Sequence, residues 1–141
     1  MPKPGTDGAL AMAIINYITT NNLVDKDYVE KYTNGFEELK IHSKEKTSTW
    51  ASEITGISKE EIEKLSFELA TIQPAAIRIG VALERHHGGG QTIRAVTCIP
   101  ALTGAWKFVG GGITQFPVWE HPYKFDVICR PDLVPENTRV I

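Results

Sequence analysis

Apolar positions in the first half of the chain recur at helical spacing, and the polar stretches between them carry capping residues. Leu10, Ile14, Tyr17 and Ile18 fall on one helical face, with Ala9, Ala11 and Ala13 raising the propensity. Asp25 is placed to cap a short helix through Val29 and Tyr32. After the turn at Asn34-Gly35, Phe36, Leu39 and Ile41 predict another helix, and Trp50, Ile54 and Ile57 a brief one ending at Gly56. Ser58-Lys59-Glu60-Glu61 is a capping box, with Ile57 and Ile62 as its hydrophobic staple. The helix that follows turns Ile62, Leu65 and Leu69 inward and stops at Pro74.

The pattern then changes. Ala76 to Leu83 is short, β-branched and bounded by breakers, which predicts a central buried strand. Gly88-Gly89-Gly90 reads as the loop after it. A helix from Gln91 to Thr103 follows on Ile93, Val96, Ile99 and Leu102, with Pro100 placed to kink it and Gly104 to end it. Helix, strand, glycine-rich loop, helix is the order of an α/β fold, in which a ligand is expected at the carboxyl end of the strand. Beyond Gly110-Gly111-Gly112, Phe116, Pro117, Trp119, Pro122, Tyr123, Pro131 and Pro135 show no clear period. Such a segment is expected to wrap over another surface. Arg139-Val140-Ile141 reads as an element continuing without a turn or cap.

Composition narrows the function classes. The 141 residues fit one domain, and 42% hydrophobic with 23% charged residues is ordinary for a globular one. A net charge of -2 offers no basic excess for nucleic acid or an anionic membrane. No apolar run is long enough for a membrane span, and no apolar signal core follows Met-Pro-Lys-Pro, so the chain as it stands is expected to be cytoplasmic. Cys98 and Cys129 lie far apart without CxxC spacing. They argue against a zinc site or an iron–sulfur cluster made by this chain alone, and two reduced thiols are expected.

Three stretches are candidates for chemistry. Pro4-Gly5-Thr6-Asp7-Gly8 precedes the first helix. Thr6 or Asp7 reads as a helix cap with Gly5 easing the turn, or as part of a ligand site. A carboxylate there suits guanine, whose N1–H and N2–H₂ form a paired donor edge that adenine lacks. Glu84-Arg85-His86-His87-Gly88-Gly89-Gly90-Gln91 is either a polar surface loop or a close approach to a bulky ligand, with Arg85 or His86 in contact. Adjacent histidines on a strand would point to opposite faces, a poor chelating pair. The third, Thr103-Gly104-Ala105-Trp106 to Gly112, is a weak signal. Cys98 lies on a helix that also buries Ile99 and Leu102 and reads as a core thiol. No GxGxxG, P-loop, GxSxG or HExxH pattern occurs.

In order and spacing these stretches resemble one family. Pro-Gly-Thr-Asp-Gly-Ala-Leu opening a helix, "TSTWASEITGISKEEIEKL", and "ERHHGGGQTIRAVTCIPALTGAWKFVGGG" are together similar to the third-domain region of dimethyl sulfoxide reductase family molybdenum or tungsten oxidoreductases. The resemblance covers Pro4 to about Gly112, and Arg130-Pro131-Asp132-Leu133 fits more loosely. His87-Gly88 departs from the small polar residue and Asn common in relatives.

The resemblance implies a chain several times longer, holding two molybdopterin guanine dinucleotides on Mo or W. The metal's protein ligand would lie upstream, and Cys98 does not match it. It implies a helix-rich, partial Rossmann-like α/β domain over residues 1–141. Within it, 4–112 is the cofactor-binding segment, and 113–141 is a tail running into further sequence. Asp7 matches the guanine-reading position, with Gly5 and Thr6 beside it, and Arg85 and His86 match a loop near the cofactor. No catalytic residue and no metal ligand is assigned to this chain. Its expected partners are the remaining domains or subunits of the oxidoreductase, and by itself it is expected to be inactive and to self-associate. The alternative is a non-catalytic nucleotide-binding or interaction module from a truncated reading frame.

Overall fold

The computed structural model describes residues 1–115, 124, 127 and 129–135. The expectations resting on Phe116, Trp119, Tyr123 and Arg139–Ile141 lie outside the described residues. Five helices come first: α1 (Asp7–Thr20), α2 (Lys26–Tyr32), α3 (Phe36–Ser43), α4 (Ser48–Thr55) and α5 (Lys59–Thr71). Strand β1 (Ala76–Ile79), helix α6 (Gly89–Leu102) and strand β2 (Gly112–Gln115) follow, with 3₁₀ turns at Leu83–Arg85, Ala105–Lys107 and Pro131–Leu133. The last of these turns carries a two-pronged bond from Arg130 to Asp132, at 2.8 and 2.6 Å. The chain is a helix-rich α/β fold.

Helix α1 is the hub, packed against α6, α4 and α5. Ala11, Ile14, Ile15 and Ile18 join Val29, Ile99 and Leu102 in one core cluster, while Ala13 joins Ala51 and Ile62 in a second. The single face expected for α1 is therefore too narrow. A helix enclosed from two directions buries a wider arc, so Ile15 and Ala13 are fully buried while Leu10 and Tyr17 are only half-buried. Complete burial of Ile15 and Ile18 stabilises the fold by about 1.5–3 kcal/mol each. Asn16 ties the hub to α3 by donating to the carbonyls of Ser43 and Lys44, at 3.0 and 3.1 Å.

The capping signals read in the sequence for α2, α4 and α5 are formed. Asp25 accepts from the Tyr28 amide at 3.0 Å, and α4 ends at Gly56. Ser58 and Glu61 close the capping box, and Ile57 packs on the cluster that holds Ile62. Two inward assignments are corrected: Ile41 is 73% exposed and Leu65 38% exposed. Helix α3 is short and contacts α1 on one side, so its last turn projects Ile41 away from the core.

The strand is also corrected. It covers Ala76–Ile79 rather than Ala76–Leu83, with Ile77 and Ile79 half-buried and Val81 exposed in a turn. Gly80 ends the extended run, and a 3₁₀ turn uses the apolar residues that had extended the strand prediction. His86 and His87 accordingly sit in a loop, not on a strand. Gly89 and Gly90 belong to α6, which begins before the expected Gln91. Strand β2, not expected from the sequence, pairs with β1 in parallel, Ala76 with Gly112 through Ile79 with Gln115. The crossover from β1 to β2 runs through α6, the connection a parallel pair requires.

Candidate functional site

The carboxyl end of β1, the turn before α1 and the start of α6 meet at one end of the molecule. Gly5 has φ +80°, a left-handed conformation that glycine adopts without strain. That turn sends the chain from Pro4 into α1. Thr6 occupies the N-cap position but forms no side-chain cap; its hydroxyl instead donates to the Lys3 carbonyl at 2.6 Å. Asp7 is the first helical residue. Capping by Thr6 or Asp7 is therefore corrected: the turn is held by the Lys3 carbonyl, and the Asp7 carboxylate is not used as a cap.

Across from this turn, residues 80–88 fold back on themselves. The Arg85 Nε donates to the Val81 carbonyl at 3.3 Å, and the Gly89 amide donates to the His86 carbonyl at 2.9 Å. Gly89 is required by close approach: a Cβ there would stand 2.6 Å from the Glu84 Cα and from the Leu83 carbonyl oxygen. The starts of α1 and α6 also touch, since a Cβ on Gly8 would lie 2.9 Å from the Thr92 hydroxyl.

Between these parts lies a cavity of about 650 Å³. Leu10, Ile14, Leu69, Ile77 and Val96 give it apolar walls. Gly5, Asp7, Arg78 and His86 also line it. Of the five residues singled out in the sequence, the structure thus brings Gly5, Asp7 and His86 to one cavity. Thr6 and Arg85 flank it in sequence but do not line it. Arg78 was missed: in an alternating strand its place beside Ile77 and Ile79 gave no functional signal. Apolar walls with a few polar groups among them are the usual composition of a small-molecule site.

Cys98 lies elsewhere, on a separate cavity of about 570 Å³ lined also by Met12, His42 and Arg94. It is half-buried against the first core cluster and donates to the Arg94 carbonyl at 3.2 Å. Burial pushes the thiol up from its ordinary value, and the Arg94 charge offsets this only in part. A neutral packing thiol results, as the sequence indicated. Cys129 is exposed. Among the described residues no group of three or more His, Cys, Asp or Glu could hold a metal ion, and no helix is long and apolar enough to cross a membrane.

No family model matches the chain. Known proteins do. The probable oxidoreductase YoaE of Bacillus subtilis is 38% identical over 136 residues, covering 96% of this chain and 20% of its own length. The probable dimethyl sulfoxide reductase chain YnfF of Escherichia coli is 34% identical over 170 aligned positions, covering 98% of this chain and 21% of its own. Among solved structures, acetylene hydratase from Pelobacter acetylenicus superimposes with a TM-score of 0.73 at 37% identity, over 79% of this chain and 15% of that one. The chain thus spans about a fifth or less of the length of the proteins it matches. It belongs, as a partial-length homologue, to the dimethyl sulfoxide reductase family of molybdopterin oxidoreductases.

Proposed function

We propose that this chain supplies part of the cofactor-holding domain of a molybdenum or tungsten oxidoreductase, with Asp7 reading the guanine of a molybdopterin guanine dinucleotide. The observation that carries the reading is the placement of Asp7, Gly5 and His86 on one largely apolar cavity at the carboxyl end of β1. A β–α–β crossover with a ligand at that end is the arrangement of a partial Rossmann-like unit. A purine face suits the walls of Leu10, Ile14 and Ile77. The Asp7 carboxylate, not engaged in capping, has two acceptor oxygens for N1–H and N2–H₂. Gly5 and Thr6 shape the turn on one side, and Arg85 and His86 the loop on the other. The bound cofactor would bring the metal and its redox chemistry; this chain's residues bind and orient it. Residues 4–112 form the cofactor-facing part of a larger protein.

Asp7→Asn tests the reading. It keeps size but replaces one acceptor with a donor that would face a guanine N–H. Titrating this chain with GMP and IMP should show a preference for GMP, and the Asn variant should lose about 1–3 kcal/mol of GMP binding at unchanged melting temperature. Equal binding of GMP by both proteins would leave Asp7 without a recognition role. The chain by itself should give no dye-linked turnover with formate, nitrate or sulfoxides when supplied with cofactor and molybdate. Self-association belongs to the same reading, since apolar surface meant for other domains recruits a partner. Light scattering showing a strict monomer would remove it.

A further inference from the structure

The geometry points to His86 as the latch of this site: its imidazole packs on Gly5, joins the 80–88 loop to the turn before α1, and so fixes the mouth of the cavity over Asp7. This rests on the guanine reading for its ligand, though not for the latch itself. A Cβ at Gly5 would lie 3.4 Å from the His86 Nδ1, 3.7 Å from Cγ and 3.9 Å from Cε1. The ring thus stands at van der Waals distance from the place a Gly5 side chain would take, on the open side of the turn.

The loop needs such an attachment. Gly80, Val81, Ala82, Glu84, Arg85 and His86 are all exposed, and only Leu83 is half-buried. Its internal bonds, from Arg85 to the Val81 and Ala82 carbonyls and from the Gly89 amide to the His86 carbonyl, shape it, and the last ties it to the start of α6. Ala82, Leu83 and His86 nevertheless line the cavity opposite Pro4, Gly5 and Asp7. The His86 ring faces the Gly5 turn from the loop side. A loop held in its binding conformation before the ligand arrives has less ordering entropy to lose, so the latch raises affinity without contributing base specificity. Its chemistry is packing by a flat ring. An aromatic ring should replace it, and a small side chain should not.

The test uses this chain with His86→Ala, His86→Phe and Asp7→Asn variants. Without ligand, amide hydrogen exchange across residues 80–88 should quicken about fivefold or more in the Ala variant and stay near wild type in the Phe variant. With ligand, followed by ¹H–¹⁵N correlation spectra, the Ala variant should bind GMP and IMP more weakly by one common factor. The GMP preference should then survive, and the Phe variant should recover affinity. Unchanged exchange in the Ala variant, or no recovery with Phe, overturns the latch. A wild-type chain that does not distinguish GMP from IMP overturns the guanine reading instead, and the ligand-free exchange still decides the latch.

Discussion

The helical region before Pro74 and the crossover after it are stabilised by different kinds of information. In the first, three of the five helices start on a side-chain cap: Asp25 caps α2, Thr47 accepts from the Trp50 amide at 3.2 Å to cap α4, and Ser58 caps α5. In the second, α6 begins at Gly88 with no side-chain cap, and its start is set by the packing of Gly89 on Leu83 and Glu84. The first region is specified by neighbours in sequence, the second by close approaches between segments. The contrast suits a scaffold that carries a site. The helices provide a rigid floor through α1, and the crossover provides a rim whose shape depends on a few contacts.

Ile15→Ala should show the largest effect and strike the floor. The side chain is fully buried where α1 meets its neighbours, so a loss of about 2–5 kcal/mol is expected. Thermal melting should show this as a drop of the whole cooperative transition. Gly89→Ala should cost about 1–3 kcal/mol through overpacking against backbone. Its signature should differ: accelerated amide exchange in residues 80–88, with the α1, α4 and α5 amides still protected. If both variants loosen the same amides, the two regions are one cooperative unit and the contrast fails.

A third prediction concerns the joint between the regions. Asp25 caps α2, receives the Lys107 ammonium from the turn before β2, and its amide donates to the Leu102 carbonyl at 2.8 Å. The hydrogen bond from Lys107 holds the carboxyl below its ordinary value of 3.8, while partial burial opposes the shift. A depressed folded-state value stabilises the fold above the unfolded value and loses that contribution as pH falls through the folded one. Wild type should therefore lose stability more steeply below about pH 4 than Lys107→Met, with the two chains differing by about 0.2–1 kcal/mol at neutral pH. Parallel acid denaturation curves would show that the ion pair does not couple the regions. An effect of similar size, about 1 kcal/mol, is expected for Ser58→Ala, which removes the cap of α5 but leaves Ile62 in place. Chemical denaturation should register it without any change in exchange at residues 80–88.

What the sequence revealed follows the same division. The helices before Pro74 and the caps at Asp25 and Ser58 were legible because hydrophobic spacing and capping side chains are local signals. Ile41 and Leu65 misled because an apolar residue at the right spacing is buried only if a neighbour covers it. Strand β1 was legible as an apolar run but overextended, since Val81 and Leu83 have the composition of a strand and the conformation of a turn. Strand β2 was not read: Ile113 and Thr114 favour extended backbone, but two such residues after three glycines make too short a run to stand out, and its pairing with β1 is a distant contact. The candidate site divided likewise. Asp7 stood out by its place at a helix start. The meeting of His86 with Gly5 joins residues far apart in sequence, and no spacing rule announces it.

The parallel pairing of Ala76 with Gly112 also has a consequence in time. Each helix before Pro74 can form from nearby residues, whereas β2 cannot find β1 until the whole intervening segment has closed a loop around α6. Closing such a loop loses chain entropy before any strand bond compensates for it, and topologies rich in distant contacts fold slowly. The sheet should therefore be the last element acquired. In pulsed hydrogen exchange during refolding, α1 and α5 amides should gain protection first and the β1–β2 pair last, so the rim of the cavity would mature after its floor.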